Sequence, residues 1–325
     1  MLITRTPLRI SIGGGGTDLP SYYERHGGFV ISAAINRYIY VSINRTFTDD
    51  YFLKYSALER VRTAAEIQHP IIRECLLSHP VGPAIEVVSM ADIPSGTGLG
   101  SSGAFTVGLL RALHAFRMQH VSAEAVAEEA CSIEIERLGR AVGKQDQYIA
   151  AHGGLTCFEF RPGSVRVSPL KIPQLALHDL EEHLLMFFTG YSRDADQVLT
   201  EQKQQSEQGQ SAMIENLHFV KELGLSIKTA LESGDTMAFG RLMHEHWLHK
   251  TKRSSRMSND RIDHWYRTGI ENGALGGKLV GAGGGGFLLF YATDRIRLRQ
   301  AMAREGLTEV RFTFDHDGSM VIARN

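Results

Sequence analysis

Three glycine clusters dominate the chemistry open to this chain of 325 residues: Gly13 to Gly16, Gly96 to Gly103, and Gly276 to Gly286. Glycine admits positive φ and lets backbone approach a ligand closely, so three clusters suggest amides gathered around an anion. The middle one reads Ile93-Pro94-Ser95-Gly96-Thr97-Gly98-Leu99-Gly100-Ser101-Ser102-Gly103 and follows a strand-like run at 84–92. Beyond it, Phe105, Leu109, Leu110, Leu113 and Phe116 recur at helical spacing. Unpaired N–H groups and the dipole at that helix start form an anion site, to which Ser101 and Ser102 add hydroxyls for a phosphate or Mg²⁺. The plainer alternative is a loop with serine caps. Carboxylates follow the first and the middle clusters. Asp18 follows the first glycine run, either to accept hydrogen bonds from sugar hydroxyls or to close a Gly-Thr-Asp turn. Glu134, Glu136 and Asp146 lie in the segment 133–148, where the two glutamates by themselves read as solvated helix charges.

Several functions are excluded. Gly98-x-Gly100-x-x-Gly103 and Gly281-x-Gly283-x-x-Gly286 match a dinucleotide fingerprint. The first lacks a second strand ending in an acidic residue, and the second precedes a strand where a helix is needed. GxxxxGK[ST] is absent, so a Walker-type nucleotide site is ruled out. Lys+Arg at 35 against Asp+Glu at 36 leaves no basic excess for nucleic acid. The three cysteines, Cys75, Cys131 and Cys157, contain no CxxC pair and fit a reducing compartment. His244-Glu245-His246 invites a zinc reading, but Leu248 breaks HExxH. The first residues carry no signal-peptide pattern, and no apolar run could span a bilayer. A cytoplasmic enzyme without membrane or nucleic-acid partners is the expectation.

The elements that must position these residues are an α+β set. Strands are expected at 1–12, 28–45 (one or two), 84–92 and 154–163, with helices after the middle cluster and from Ser122 to about Arg137, where Gly139 ends the run. Prolines 162, 169 and 173 mark a domain boundary, giving domains 1–170 and 171–325. The second half reads as a strand at HLLMFFTG, long polar helices, a strand at GFLLFYA, a helix and a final strand pair.

Three blocks, Arg5 to Asp18, Pro94 to Gly103 and Lys278 to Phe287, resemble the three motifs of the GHMP kinases, the superfamily of galactokinase, homoserine kinase, mevalonate kinase and phosphomevalonate kinase. The resemblance implies a ribosomal-S5-like N-terminal domain, a ferredoxin-like C-terminal domain, an active site between them, and ATP with Mg²⁺ as cofactors. The ATP phosphates would be wrapped by Pro94, Ser95, Gly96, Thr97, Gly98, Leu99, Gly100, Ser101 and Ser102. The stretch from Glu134 through Gly139 to Asp146-Gln147 is similar to the galactokinase type. It makes Asp146 the catalytic aspartate, with Arg9 beside it in the catalytic set, and gives Mg²⁺ to Glu134 and Ser102. Glu136 is a competitor on another helix face. Substrate contacts would come from Gly15, Gly16, Thr17 and Asp18, and from Gly283 and Gly284 in the third motif.

The uninterrupted GGGGTD is closer to the subgroup acting on heptose phosphates and L-fucose than to galactokinase itself. Thr189 to Arg193 and Trp247-x-x-Lys250 also look like the heptose-phosphate branch, so Arg193 and Lys250 are expected at a second phosphate. Lys252, Arg253 and Arg256 could join them or form a solvated basic helix end. The implied reaction is phosphorylation of the anomeric hydroxyl of a heptose 7-phosphate. The alternatives are a kinase for a free sugar such as L-fucose and a non-catalytic sugar sensor, the latter disfavoured because Asp146 and Glu134 are both present. The resemblance leaves room for a homodimer.

Overall fold

A computed structural model describes residues 1–190, 195–254 and 257–325. Its first half runs β1 (Leu2–Gly13), α1 (Pro20–His26), β2 (Gly28–Arg45), β3 (Tyr51–Lys54), β4 (Leu58–Val61), α2 (Pro70–Ser78), β5 (Ile85–Ala91), α3 (Ser101–Phe116), α4 (Ala123–Cys131), α5 (Gln145–His152), β6 (Leu155–Arg161) and β7 (Ser164–Pro169). The second half runs α6 (Gln174–His183), β8 (Leu184–Phe188), α7 (Ala195–Glu207), α8 (Ser211–Glu232), α9 (Thr236–Lys250), α10 (Asp260–Glu271), β9 (Ala274–Leu279), β10 (Phe287–Ala292), α11 (Arg295–Arg304), β11 (Thr308–Glu309) and β12 (Met320–Arg324). The α+β class is as expected.

The 28–45 run is a single strand of 18 residues serving two neighbours. Its first part, Gly28 to Ala33, pairs with β6, and its last part, Ile39 to Arg45, pairs with β5, while β1 lies along its other edge. Helix α3 packs across β1 and β2 and also meets α5, so the middle glycine loop and the segment that carries Asp146 share one support. The expected helix from Ser122 forms as α4, with the Ser122 hydroxyl accepting a hydrogen bond from Ala125 N at 3.1 Å. At Ser132 the winding widens into a π-helical turn through Arg137, and Gly139, at φ 64°, ends it. Such widened turns cluster at functional sites because they re-aim side chains that α-winding would place elsewhere. The expected final strand pair does not form. β11 joins β8, and β12 crosses back to pair with β1.

The second sheet, β11-β8-β10-β9, is buried on both faces. Alternation then divides each apolar strand between two cores. Leu184 and Met186 of β8, with Phe287, Leu289 and Tyr291 of β10, join the main core that also contains Ile10, Ile12 and Val41. Leu185, Phe187, Leu288 and Phe290 face a second core with Trp265 of α10 and Leu298 of α11. An unbroken hydrophobic run is what two buried faces require. The main core therefore binds the halves together. No helix among the described residues is long and apolar enough to cross a membrane.

Helix α9 approaches β9 backbone to backbone. A Cβ on Gly276 would overlap the Gly240 carbonyl oxygen and come within 2.8 Å of His244 N. Gly276→Ala should therefore destabilise the fold by about 1–3 kcal/mol, the usual cost of overpacking. Urea unfolding measures this directly; an unchanged midpoint would mean that α9 moves off β9 without cost.

Candidate active site

The glycine-rich loop enters α3 through Gly100, a left-handed N-cap at φ 76°, with no side chain capping the helix. The first-turn N–H groups of α3 therefore have no internal partner and are available to an anion. Gly96 and Gly98 also have positive φ, at 76° and 83°. Around them the third motif closes in: a Cβ on Gly98 would lie 2.5 Å from the Val280 carbonyl oxygen, and one on Gly286 would overlap Thr97 O. Thr97 is buried and its hydroxyl donates to Pro94 O at 2.9 Å, while Leu99 is core. Pro94, Ser95 and Gly96 are exposed at the loop's tip. The second and third clusters are thus one backbone-on-backbone platform.

Arg9, from β1, ties this platform to α5. Its backbone N–H donates to Leu99 O at 3.0 Å, its Nη1 to Gly98 O at 2.5 Å, and its Nε to Asp146 Oδ1 at 2.8 Å. Asp146 sits in the first turn of α5, and a Cβ on Gly103 of α3 would come within 2.8 Å of its Cβ. The start of α5 is also fixed by Lys144, whose Nζ pairs with Glu128 of α4 at 2.8 Å. Asp146 nevertheless keeps 29% side-chain exposure, enough to reach a ligand.

Asp18 is held from both sides. Its Oδ1 accepts from Gly16 N at 3.1 Å and its Oδ2 from Gln145 N at 3.2 Å, so the carboxylate closes the Gly-Thr-Asp turn and also lines the cavity. Burial, reinforced by the charge of Asp146, pushes its carboxyl pKa up. One cavity brings Arg9, Gly15, Gly16, Asp18, Asp146 and Lys250 together. It also contains His246, weighed only in the zinc reading, and residues that the sequence did not single out as ligands: Ser11, Gln202 and Lys278. Lys278 opens the third motif, and that position was the available signal.

Other expected contacts do not reach this cavity. The Thr17 hydroxyl is buried and spent on Gly14 O and Phe29 O, each at 2.9 Å; it staples the turn to β2. Gly283 and Gly284 pack against Met257 instead, with Gly284 N donating to Met257 O at 3.0 Å. Gly281 and Ala282 line the cavity in their place. Lys250 is present, but its Nζ donates to Leu279 O at 2.8 Å and Gly281 O at 2.5 Å. Burial and the neighbouring charge of Lys278 push its pKa well down. Lys278 donates to Ile12 O at 2.9 Å and is pushed down to about 7, mainly by burial. Arg193 and Arg256 lie outside the described residues.

Ser102 and Glu134 meet. The Ser102 hydroxyl donates to Glu134 Oε2, and Gln147 Nε2 donates to Glu134 Oε1 at 2.9 Å. Glu134 is fully buried in the π-helical turn, and burial raises its pKa. Glu136, by contrast, is exposed and bonded to Ser132 at 2.6 Å. Arg140 Nη1 donates to Ser102 Oγ at 2.9 Å and to Glu134 Oε2 at 3.2 Å, so a cationic group already stands against both oxygens. A hydroxyl and a carboxylate converging on a cation fit Mg²⁺, which prefers oxygen donors and completes its shell from phosphates and water. The His244–His246 pair forms no metal group. His244 bonds Tyr266 at 2.7 Å, and the His/Glu group with ligand spacing among the described residues is His79, His114 and Glu129, near the C-terminal end of α3.

The family description "GHMP kinases N terminal domain" matches residues 57–154, and "GHMP kinases C terminal" matches residues 227–307. D-glycero-alpha-D-manno-heptose 7-phosphate kinase of Campylobacter jejuni is 30% identical over 334 positions, covering 97% of each chain. A solved sugar kinase from Campylobacter jejuni superposes with a TM-score of 0.78 at 27% identity, over 98% of this chain and 97% of the other. A D-glycero-D-manno-heptose 1-phosphate kinase from Bacteroides thetaiotaomicron superposes over the whole of both chains with a TM-score of 0.80 at 24% identity, a likeness of fold. Similarity of this extent, over both family domains and nearly the full length of a relative, makes the chain a member of the GHMP kinase family of ATP-dependent phosphotransferases.

Proposed function

We propose that the protein transfers the γ-phosphate of ATP to the anomeric hydroxyl of D-glycero-D-manno-heptose 7-phosphate, giving the 1,7-bisphosphate. The observation that carries this reading is the Arg9–Asp146 pair, set between the Gly98–Gly100 backbone and a cavity rich in cations. The similarity to a heptose 7-phosphate kinase over nearly the full length supports the same substrate. Domains 1–170 and 171–325 form the two walls, with β12 returning to the first sheet. The need for ATP suits the cytoplasm, and the three cysteines are free and buried.

Phosphoryl transfer asks the protein mainly for position and charge. The loop amides and the start of α3 take the nucleotide phosphates. Asp18 accepts from sugar hydroxyls and orients the ring. Asp146, aimed by Arg9, receives the hydrogen bond of the attacking hydroxyl and takes its proton as the oxygen closes on phosphorus. Ser102 and Glu134 would hold Mg²⁺, whose chemistry here is neutralisation of charge on the nucleotide phosphates.

Asp146→Asn should keep ATP affinity while kcat falls at least about 10²-fold, the usual loss on removing a general base. Steady-state turnover with nucleotide binding measured separately tests this; a rate within a few-fold of the parent would remove Asp146 from the chemistry. Ser102→Ala and Glu134→Gln should each raise the Mg²⁺ concentration for half-maximal rate, and Glu136→Gln should not. An equal effect from Glu136→Gln would contradict the ligand assignment.

A further inference from the structure

Four cationic side chains, Arg9, Lys250, Arg253 and Lys278, face a cavity that contains two carboxylates, Asp18 and Asp146. This excess is unusual for buried groups, since unpaired charge in a low-dielectric interior is costly. Arg9 is bound to Asp146, and the two lysines donate to backbone carbonyls. Arg253 differs. Its Nε donates to Asn216 Oδ1 at 2.9 Å and its Nη1 to Gly15 O at 2.9 Å, so the guanidinium plane is fixed at two of three nitrogens. The third nitrogen, Nη2, is buried without a partner among the described residues. Ser11 Oγ and His246 Nε2, on the same cavity, are buried and unpartnered too. A rigid fork with one spare donor suits an oxyanion ligand.

We infer that Arg253 is the residue that selects a phosphorylated sugar, its Nη2 donating to the phosphate ester carried by the substrate away from the attacked hydroxyl. The inference rests on the heptose-phosphate reading and moves the ester contact from Lys250, whose donors are committed to Leu279 and Gly281, to Arg253. Lys278 and Lys250 line the same cavity, with their amines bonded to backbone carbonyls. Arg253 donates to the Gly15 carbonyl, which places it by the first glycine turn, whereas the arginine bonded to Asp146 is Arg9.

The test measures kcat/KM at saturating ATP for D-glycero-D-manno-heptose 7-phosphate and for the unphosphorylated heptose, in the parent enzyme and in Arg253→Ala. The ratio of the two constants should fall about 10- to 150-fold, the range for one charge-assisted hydrogen bond to phosphate. Arg253→Lys, which preserves the charge and protects folding if the alanine variant is unstable, should lower the ratio at least about 10-fold because lysine cannot hold the same fork. An unchanged ratio in a folded variant, even with both activities reduced, overturns the inference and leaves Arg253 as a brace for the Gly15 turn. If the parent enzyme itself prefers the free sugar, the heptose-phosphate reading falls instead, whatever the variants do.

Discussion

The arginine at position 9 is the interaction on which the rest of the site depends. One side chain reaches both the carbonyl of Gly98 in the phosphate loop and the carboxylate of Asp146 in α5, while its own N–H holds Leu99. Three segments remote in sequence are thereby placed in one geometry. Losing either partner of such a largely buried pair leaves a charge without compensation, which costs far more than the intact pair contributes. The pair is thus better understood as positioning than as stabilisation. It orients Asp146 at the edge of the cavity that also contains Asp18, Lys250, Arg253 and Lys278.

The glycines form the second constraint. In the loop their role is conformational, since Gly96, Gly98 and Gly100 occupy positive φ. Between the loops their role is contact: Gly98 against Val280 and Gly286 against Thr97 leave no room for a Cβ. The phosphate loop is therefore clamped by a turn from the other sheet. That sheet is held to the first half by the alternate residues of β8 and β10 that enter the main core. Core packing, loop clamping and catalytic positioning form one continuous chain of contacts.

Much of this was legible because the chemistry restricts residue type. Backbone anion sites demand glycine at a helix start, so the Gly96–Gly103 loop with Ser101 and Ser102 stood out. Glu134 and Asp146 took their roles from the resemblance to the galactokinase-type stretch, and the structure sets Glu134 against Ser102 and Asp146 against Arg9. What a motif does not encode is which way each member faces. Thr17, Gly283 and Gly284 belong to the motifs but serve the turns themselves. Conversely, Arg253 read equally well as a solvated helix end, because only the tertiary approach of the Gly15 turn buries it. The π-helical turn was hidden for a similar reason: its sequence suits an ordinary helix, and tertiary packing decides its winding. Strand β12 went to β1 because an edge left open in the first sheet offers a better partner than the two residues of β11.

In the proposed reaction the Arg9–Asp146 pair activates the anomeric hydroxyl of a sugar that already carries a phosphate. The most direct measurement is ATP turnover against a panel of free sugars and sugar phosphates, with the product of the best substrate read by ³¹P NMR. The account predicts D-glycero-D-manno-heptose 7-phosphate as the preferred acceptor and a product with one new phosphorus signal coupled to the anomeric proton. Preference for a free sugar such as L-fucose, or a new phosphate on any hydroxyl but the anomeric one, would contradict it.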